Sequence, residues 1–344
     1  MTEQQRPALA ATARELVTTG KGILAADESN PTMTKRLLAV GAQATPESRR
    51  RFRELLITTP GVADRISGVI LCDETIRQAA SEGMPFPELL ASLGMLTGIK
   101  VDTGAKPLAS ADGETITEGL DGLRERLGEY HELGARFAKW RAVITIGEGL
   151  PSQYCIAANA HALGRYAALC QEAGIVPMVE PEVLMAGAHA IARSEQITRD
   201  VLRAVFAELL DQRVLLEAIV LKPNMVLAGY DCPRPAGLAE VAQRTLAVLG
   251  QVVPAAVPGV AFLSGGQSDE LVSAHLNALN RATAPWQLTF SFGRALQATP
   301  LKVWAGDEDN ASAAQAAFAH RVRCTAEARA GRYRAALEQE FAAA

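Results

Sequence analysis

Short β-rich runs alternate with longer helix-patterned stretches from one end of this chain to the other. No other feature restricts the fold so strongly, because strands joined through helices return to pair in parallel. The strand candidates are Gly22–Asp27, Gly68–Asp73, Thr97–Asp102, Phe137–Gly147, Ile175–Glu180, Ala218–Lys222, Val260–Ser264 and Gln287–Ser291. Between them, Gln153–Ala173 repeats apolar residues with helical spacing at Ile156, Ala160, Leu163, Ala167 and Cys170, and Gly174 stops it. Ile197–Leu210 and Leu238–Leu249 also read as helices, and Ala311 to about Leu337 as an Ala-rich amphipathic segment. About eight strands, most followed by a helix, predict an α/β fold: a single (β/α)8 TIM barrel with an N-terminal helix and a C-terminal helical segment. A doubly wound open sheet is the alternative. With no linker, low-complexity tract or short internal repeat, residues 1–344 are expected to form a single domain.

Composition removes several classes of function. Apolar residues make up 49% of the chain, enough for a full core, and the net charge of −4 lacks the basic surplus that nucleic-acid binding requires. Arg49–Arg51, a short basic run, reads as solvated helix surface. No segment is apolar enough for a membrane span, and the N-terminal residues lack the apolar stretch of a secretion signal, so a cytoplasmic protein is expected. Five cysteines without a CxxC pair suggest neither a disulfide framework nor a thiolate zinc site.

Lysine is scarce: seven lysines stand against 27 arginines. Lys222 ends an apolar run before Pro223, Lys139 lies inside another, and Lys100 ends a third. Arg cannot lose its proton, whereas Lys in an apolar pocket beside a second cation can do so and attack a carbonyl. A Schiff-base enzyme is therefore one reading. The other is that these lysines snorkel at strand ends.

The strand ends gather reactive groups: Asp27-Glu28-Ser29, Lys100-Val101-Asp102, Glu180-Pro181-Glu182, Lys222-Pro223-Asn224, Ser264-Gly265-Gly266-Gln267 and Ser291-Phe292-Gly293-Arg294. In a barrel these ends converge on one mouth. Lys139 and Arg141 are two apart in an extended run and share a face, with Ile144 and Ile146 on the other. Glu180 and Glu182 are likewise two apart. Such pairs either build a structural ion-pair network or shift one another's pKa for catalysis. Ser264-Gly265-Gly266 with Gly293-Arg294 reads as a phosphate cradle, and Lys35, Arg36 and Lys100 as a second anion cluster. Two phosphate sites flanking an amine describe a bisphosphorylated keto sugar.

Six strings then resemble one known family: GILAADES (Gly22–Ser29), FAKWR (Phe137–Arg141), GIVPMVEPE (Gly174–Glu182), LKPNM (Leu221–Met225), FLSGGQS (Phe262–Ser268) and GRALQ (Gly293–Gln297). In order and spacing from Lys21 to Gln297, and more loosely to Tyr333, the chain resembles class I fructose-1,6-bisphosphate aldolase. The resemblance implies a metal-independent, cofactor-free barrel that forms a homotetramer and takes a sugar phosphate as its small-molecule partner. It implies that Lys222 forms the Schiff base and that Glu180 serves as general acid/base within a network containing Glu182 and Lys139. Asp27 would take the C4 hydroxyl proton, and Arg141 would organise the site. It further implies that Ser264, Gly265, Gly266, Ser291, Gly293 and Arg294 hold the 1-phosphate. Ser29, Thr32, Lys35, Arg36 and Lys100 would surround the 6-phosphate.

Three departures from the animal enzymes stand out. Ser29-Asn30-Pro31-Thr32 replaces Ser-Thr-Gly-Ser, and Phe292 replaces a Tyr before Gly-Arg. The sequence runs to Phe341-Ala342-Ala343-Ala344, where animal members carry a tail whose last Tyr assists proton exchange on the enamine. Cleavage is expected to survive, with the exchange step less tightly coupled. The rival readings are a metal-dependent aldolase or isomerase, a non-catalytic barrel scaffold, and a Schiff-base aldolase or transaldolase for another sugar phosphate. The five histidines are scattered away from strand ends, which disfavours the first.

Overall fold

The computed structural model describes residue 3 and residues 5–340, so the terminal Phe341–Ala344 segment named above lies outside the described residues. Among the described residues ten strands form: β1 (Gly22–Ala25), β2 (Ile66–Leu71), β3 (Leu96–Lys100), β4 (Gly104–Pro107), β5 (Thr115–Glu118), β6 (Phe137–Ile144), β7 (Val176–Val183), β8 (Val220–Leu221), β9 (Gly259–Phe262) and β10 (Gln287–Phe292). Eight of them close into a parallel barrel in the order β1-β10-β9-β8-β7-β6-β3-β2. The ring is completed where Ile23 lies opposite Ser291 and Leu24 opposite Phe292, which rules out the open sheet. The expected (β/α)8 barrel is the fold.

Both faces of these strands are covered, so β2 and β7 are buried at every residue, as parallel strands between core and helices must be. Inside the ring, Ile23, Ala25, Ile70, Phe137, Met178, Val220 and Ala261 pack with Leu9, Ala13, Leu16 and Val17. The last four come from the N-terminal helix Gln5–Leu16 and the residue after it. That helix therefore stops the end of the barrel where the strands begin. The ionisable lining of the cavity lies at the other end.

Several local readings need correction. Strand β2 starts at Ile66, and Asp73 opens a short helix, Asp73–Ile76, instead of ending the strand. Strand β6 stops at Ile144, while β7 runs on to Val183 and so contains both Glu180 and Glu182. Strand β8 is only Val220–Leu221, since Leu216–Ala218 forms a 3-10 turn. The hairpin β4–β5 went unpredicted because GAKP and TITE lack apolar alternation and lie outside the barrel. The helix Ile191–Asp211 begins six residues before the apolar pattern that signalled it. The C-terminal segment divides into Ala311–Arg329 and Ala336–Gln339, with Gly331 between them at φ 70°. Nor is Arg49–Arg51 simply solvated. Arg49 is buried, and its Nε and Nη2 donate to the two Glu74 oxygens at 2.8 and 2.6 Å.

Candidate active site

A cavity of about 610 Å³ opens at the C-terminal ends of the barrel strands. Five strands or the residues just beyond them supply its ionisable core. Asp27 follows β1, Lys100 ends β3, Lys139 and Arg141 alternate on β6, Glu180 and Glu182 alternate on β7, and Lys222 follows β8. The two-residue spacing places both members of each β6 and β7 pair on the cavity side. Lys222 is held at the strand end by its backbone N–H, which donates to the Val179 carbonyl at 2.8 Å.

Charges alternate across this floor. Lys222 Nζ lies 3.2 Å from Glu180 Oε1. The other Glu180 oxygen lies 3.3 Å from Lys139 Nζ, which in turn sits 2.6 Å from Asp27 Oδ2. All four side chains are buried. Burial alone would raise the Asp27 carboxyl, but Lys139 and then Lys222 outweigh it and hold its pKa down at about 2. Glu180 is treated the same way: burial opposes its charge, and Lys139, Lys222 and Arg141 still lower its pKa. Lys139 is desolvated too, yet Asp27, Glu180 and Asp102 raise its pKa and keep it cationic. Arg141 donates Nε–H to Glu182, and this carboxylate is the largest influence offsetting the guanidinium's desolvation.

Beside this core lie two sets of anion-binding groups. Gly265 and Gly266 adopt φ 60° and 81°, a left-handed pair that only glycine enters freely. A Cβ on Gly265 would come within 2.3 Å of the Met185 methyl. Gly293 caps the helix Arg294–Trp304, whose N-terminus presents backbone N–H groups to the cavity. Arg294 is exposed there. The buried Ser291 hydroxyl has no hydrogen-bond partner among the described residues, a costly state that an anionic ligand would relieve. The second set contains Ser29, Thr32, Arg36 and Lys100. Ser29 and Thr32 hydroxyls lie 3.0 Å apart, Arg36 is paired with Glu28 at 2.6 Å, and Lys100 with Asp102 at 3.0 Å.

Thus Asp27, Lys139, Arg141, Glu180, Glu182 and Lys222 line one cavity, together with Ser29, Thr32, Arg36, Lys100, Ser264, Gly265, Gly266, Ser291, Gly293 and Arg294. Lys35 does not. It is exposed on the helix Asn30–Ala39, turned by about 100° from Arg36. Sequence reasoning named Asp102 and Glu28 among the strand-end groups without giving either a role, and it passed over Tyr230. Asp102 accepts the backbone N–H groups of Gly104 at 3.2 Å and Arg141 at 3.3 Å, fixing the turn beyond β3 to β6. Glu28 accepts from Gln297 Nε2 at 2.8 Å as well as from Arg36. Both stand beside residues already singled out, so their position was the available signal. Tyr230 had none: it reaches the cavity from a loop whose backbone bonds to Met185, and its phenol donates to the Gly265 carbonyl.

The family model described as fructose-bisphosphate aldolase class-I matches residues 8–344. A probable fructose-bisphosphate aldolase class 1 of Xylella fastidiosa is 56% identical over 300 residues, covering 87% of this chain and 90% of that protein. The cytosolic fructose-bisphosphate aldolase 6 of Arabidopsis thaliana is 50% identical, covering 95% and 91%. Fructose-bisphosphate aldolase B of Gallus gallus is 48% identical, covering 97% and 92%. Among solved structures, the Plasmodium falciparum fructose-bisphosphate aldolase superposes with a TM-score of 0.96 at 44% identity, covering 97% of each chain. The chain belongs to the class I fructose-bisphosphate aldolase family.

Proposed function

We propose that this chain cleaves fructose 1,6-bisphosphate reversibly into dihydroxyacetone phosphate and glyceraldehyde 3-phosphate through a Schiff base on Lys222. The observation that carries the reading is the buried relay Lys222–Glu180–Lys139–Asp27, with its separations of 3.2, 3.3 and 2.6 Å. Lys222 hands a proton to Glu180 and attacks the ketose C2, giving a carbinolamine. Glu180 then protonates the departing C2 hydroxyl, water leaves, and an iminium remains. Asp27, ionised at neutral pH, removes the C4 hydroxyl proton. The C3–C4 bond breaks, its electron pair passes to the iminium nitrogen, and the aldehyde product departs. The resulting enamine is protonated at C3 and hydrolysed, which frees the second product and Lys222. Throughout, Lys139 stays cationic between two carboxylates and stabilises negative charge as it develops.

Ser264, Gly265, Gly266, Ser291, Gly293 and Arg294 are assigned to the 1-phosphate on the strength of the glycine turn, the helix N-terminus and the unpartnered Ser291 hydroxyl. Ser29, Thr32, Arg36 and Lys100 are assigned to the 6-phosphate. Lys35, which faces solvent, would act there only through the field of its charge. We read the chain as one domain that works in the cytoplasm as a homotetramer. This rests on the family and on relatives named as cytosolic. Among the described residues no helix is long and apolar enough to cross a membrane.

Borohydride trapping tests the mechanism. With the ketose bisphosphate, the wild type should gain one reduced adduct on Lys222, and Lys222→Arg should gain none because Arg cannot deprotonate. Asp27→Asn should still be trapped, while cleavage slows by on the order of 10²–10⁴-fold. An untrapped wild type would refute the Schiff base.

A further inference from the structure

Away from the cavity, the last long helix, Ala311–Arg329, carries His320 and Cys324 one turn apart on the same face. The short helix Ala336–Gln339 brings Glu338 against them. Cys324 Sγ lies 3.5 Å from His320 Nε2, and the same nitrogen lies 3.9 Å from Glu338 Oε2. All three ligand atoms fall within 4.8 Å of one another. An ion centred on a triangle with such edges would sit about 2.4 Å or less from each donor, against about 2.0–2.3 Å for bonds from zinc to N, O and S.

We propose that His320, Cys324 and Glu338 form a binding site for a thiophilic divalent cation of the zinc class, which fastens the Ala336–Gln339 helix to the Ala311–Arg329 helix. A thiol with an imidazole selects such an ion over magnesium or calcium, which take oxygen donors. On binding, the Sγ–H bond breaks, its proton leaves to solvent, and the thiolate pair forms the Sγ–metal bond. The fourth position stays open to water on the side where His320 is partly exposed.

The surroundings suit this role. Arg321 donates to both oxygens of Glu338, and the Tyr333 phenol donates to Oε1 at 2.8 Å. Hydrogen-bonded partners of this kind orient a ligating carboxylate. The Arg321 guanidinium would repel a dication on its own, but the thiolate and carboxylate together supply the two negative charges that offset it. The neutral imidazole is the form that ligates. The site is structural. None of its residues lines the cavity between the strand ends.

Cobalt(II) is the probe, because a thiolate ligand gives it a near-ultraviolet charge-transfer band. The full chain, stripped with chelator and titrated with Co²⁺, should show that band saturating at one equivalent. Cys324→Ser should lose the band entirely, and His320→Ala should weaken Co²⁺ affinity by at least about tenfold. The partly exposed Cys232 is the control, and Cys232→Ser should leave the titration unchanged. Zn²⁺ should displace the Co²⁺ and raise the thermal midpoint of the wild type but not of Cys324→Ser. No band in the wild type at saturating Co²⁺, or a band that survives in Cys324→Ser, overturns the proposal.

Discussion

Asp27 shows how one carboxylate serves both chemistry and stability. Its pKa falls from 3.8 to about 2 because Lys139 and Lys222 outweigh the cost of burying it. A carboxyl with a depressed pKa stabilises the fold fully above its unfolded value, and that stability is lost as pH falls through the folded value. The loss therefore occurs between about pH 4 and pH 2. Linkage sets it at about 1 kcal/mol by pH 3 and about 2 kcal/mol at full protonation. Urea unfolding of the wild type and Asp27→Asn at pH 7, 4 and 3 should show the gap between them narrowing by the first amount. A gap independent of pH would mean that the carboxylate is not held by the lysines. Sequence spacing exposed Lys139 with Arg141 and Glu180 with Glu182, because alternation along an extended strand fixes which side chains share a face, and the end of a strand marked Asp27. It could not expose Tyr230, whose reach depends on how one loop bonds to another. It also placed Lys35 with Arg36, although consecutive helical residues point apart.

Among the elements, close approach governs the barrel interior. Gly98 on β3 lies opposite Phe137 on β6, and a Cβ at Gly98 would meet that ring at 2.3 Å. The bare backbone of one strand thus makes room for an aromatic ring on the next. Gly98→Ala should destabilise the protein by about 1–3 kcal/mol through overpacking. Phe137→Leu in the same chain should recover part of that loss. A double-mutant cycle by urea denaturation checks the pair, and additive effects would deny the contact. Here the limits of reading the sequence are local. Long helices and continuous apolar strands gave their positions away through periodicity. The hairpin β4–β5 did not, being short, polar and outside the barrel. The length of β7 was hidden as well, since Glu-Pro-Glu looks like the end of a strand until both glutamates are seen to have partners inside the cavity.

A barrel closes only if its first and last strands meet, and the chain reinforces that seam from outside. Arg329, buried near the end of the helix Ala311–Arg329, donates to the carbonyls of Val17, Thr18 and Lys21, which join the N-terminal helix to β1. The same guanidinium reaches Leu288 and Gln287 on β10. The Thr289 hydroxyl adds a bond of 2.8 Å to the Lys21 carbonyl. One cation therefore ties the C-terminal helix and β10 to the segment that joins the N-terminal helix to β1, at the end of the barrel opposite the cavity. No periodicity announces such a residue, because three of its partners are backbone carbonyls more than 300 positions away. Arg329→Met would keep much of the apolar stem but remove every donor and strand several buried carbonyls. Breaking charge-assisted bonds of this kind costs about 3 kcal/mol. The urea midpoint should fall accordingly, whereas KM for the bisphosphate should stay within about twofold, since no group at the strand C-termini is touched. Arg329→Lys, which keeps the charge but not the fork, should fall between the two. If Arg329→Met instead raised KM without lowering the midpoint, the residue would belong to the substrate site and not to the seam.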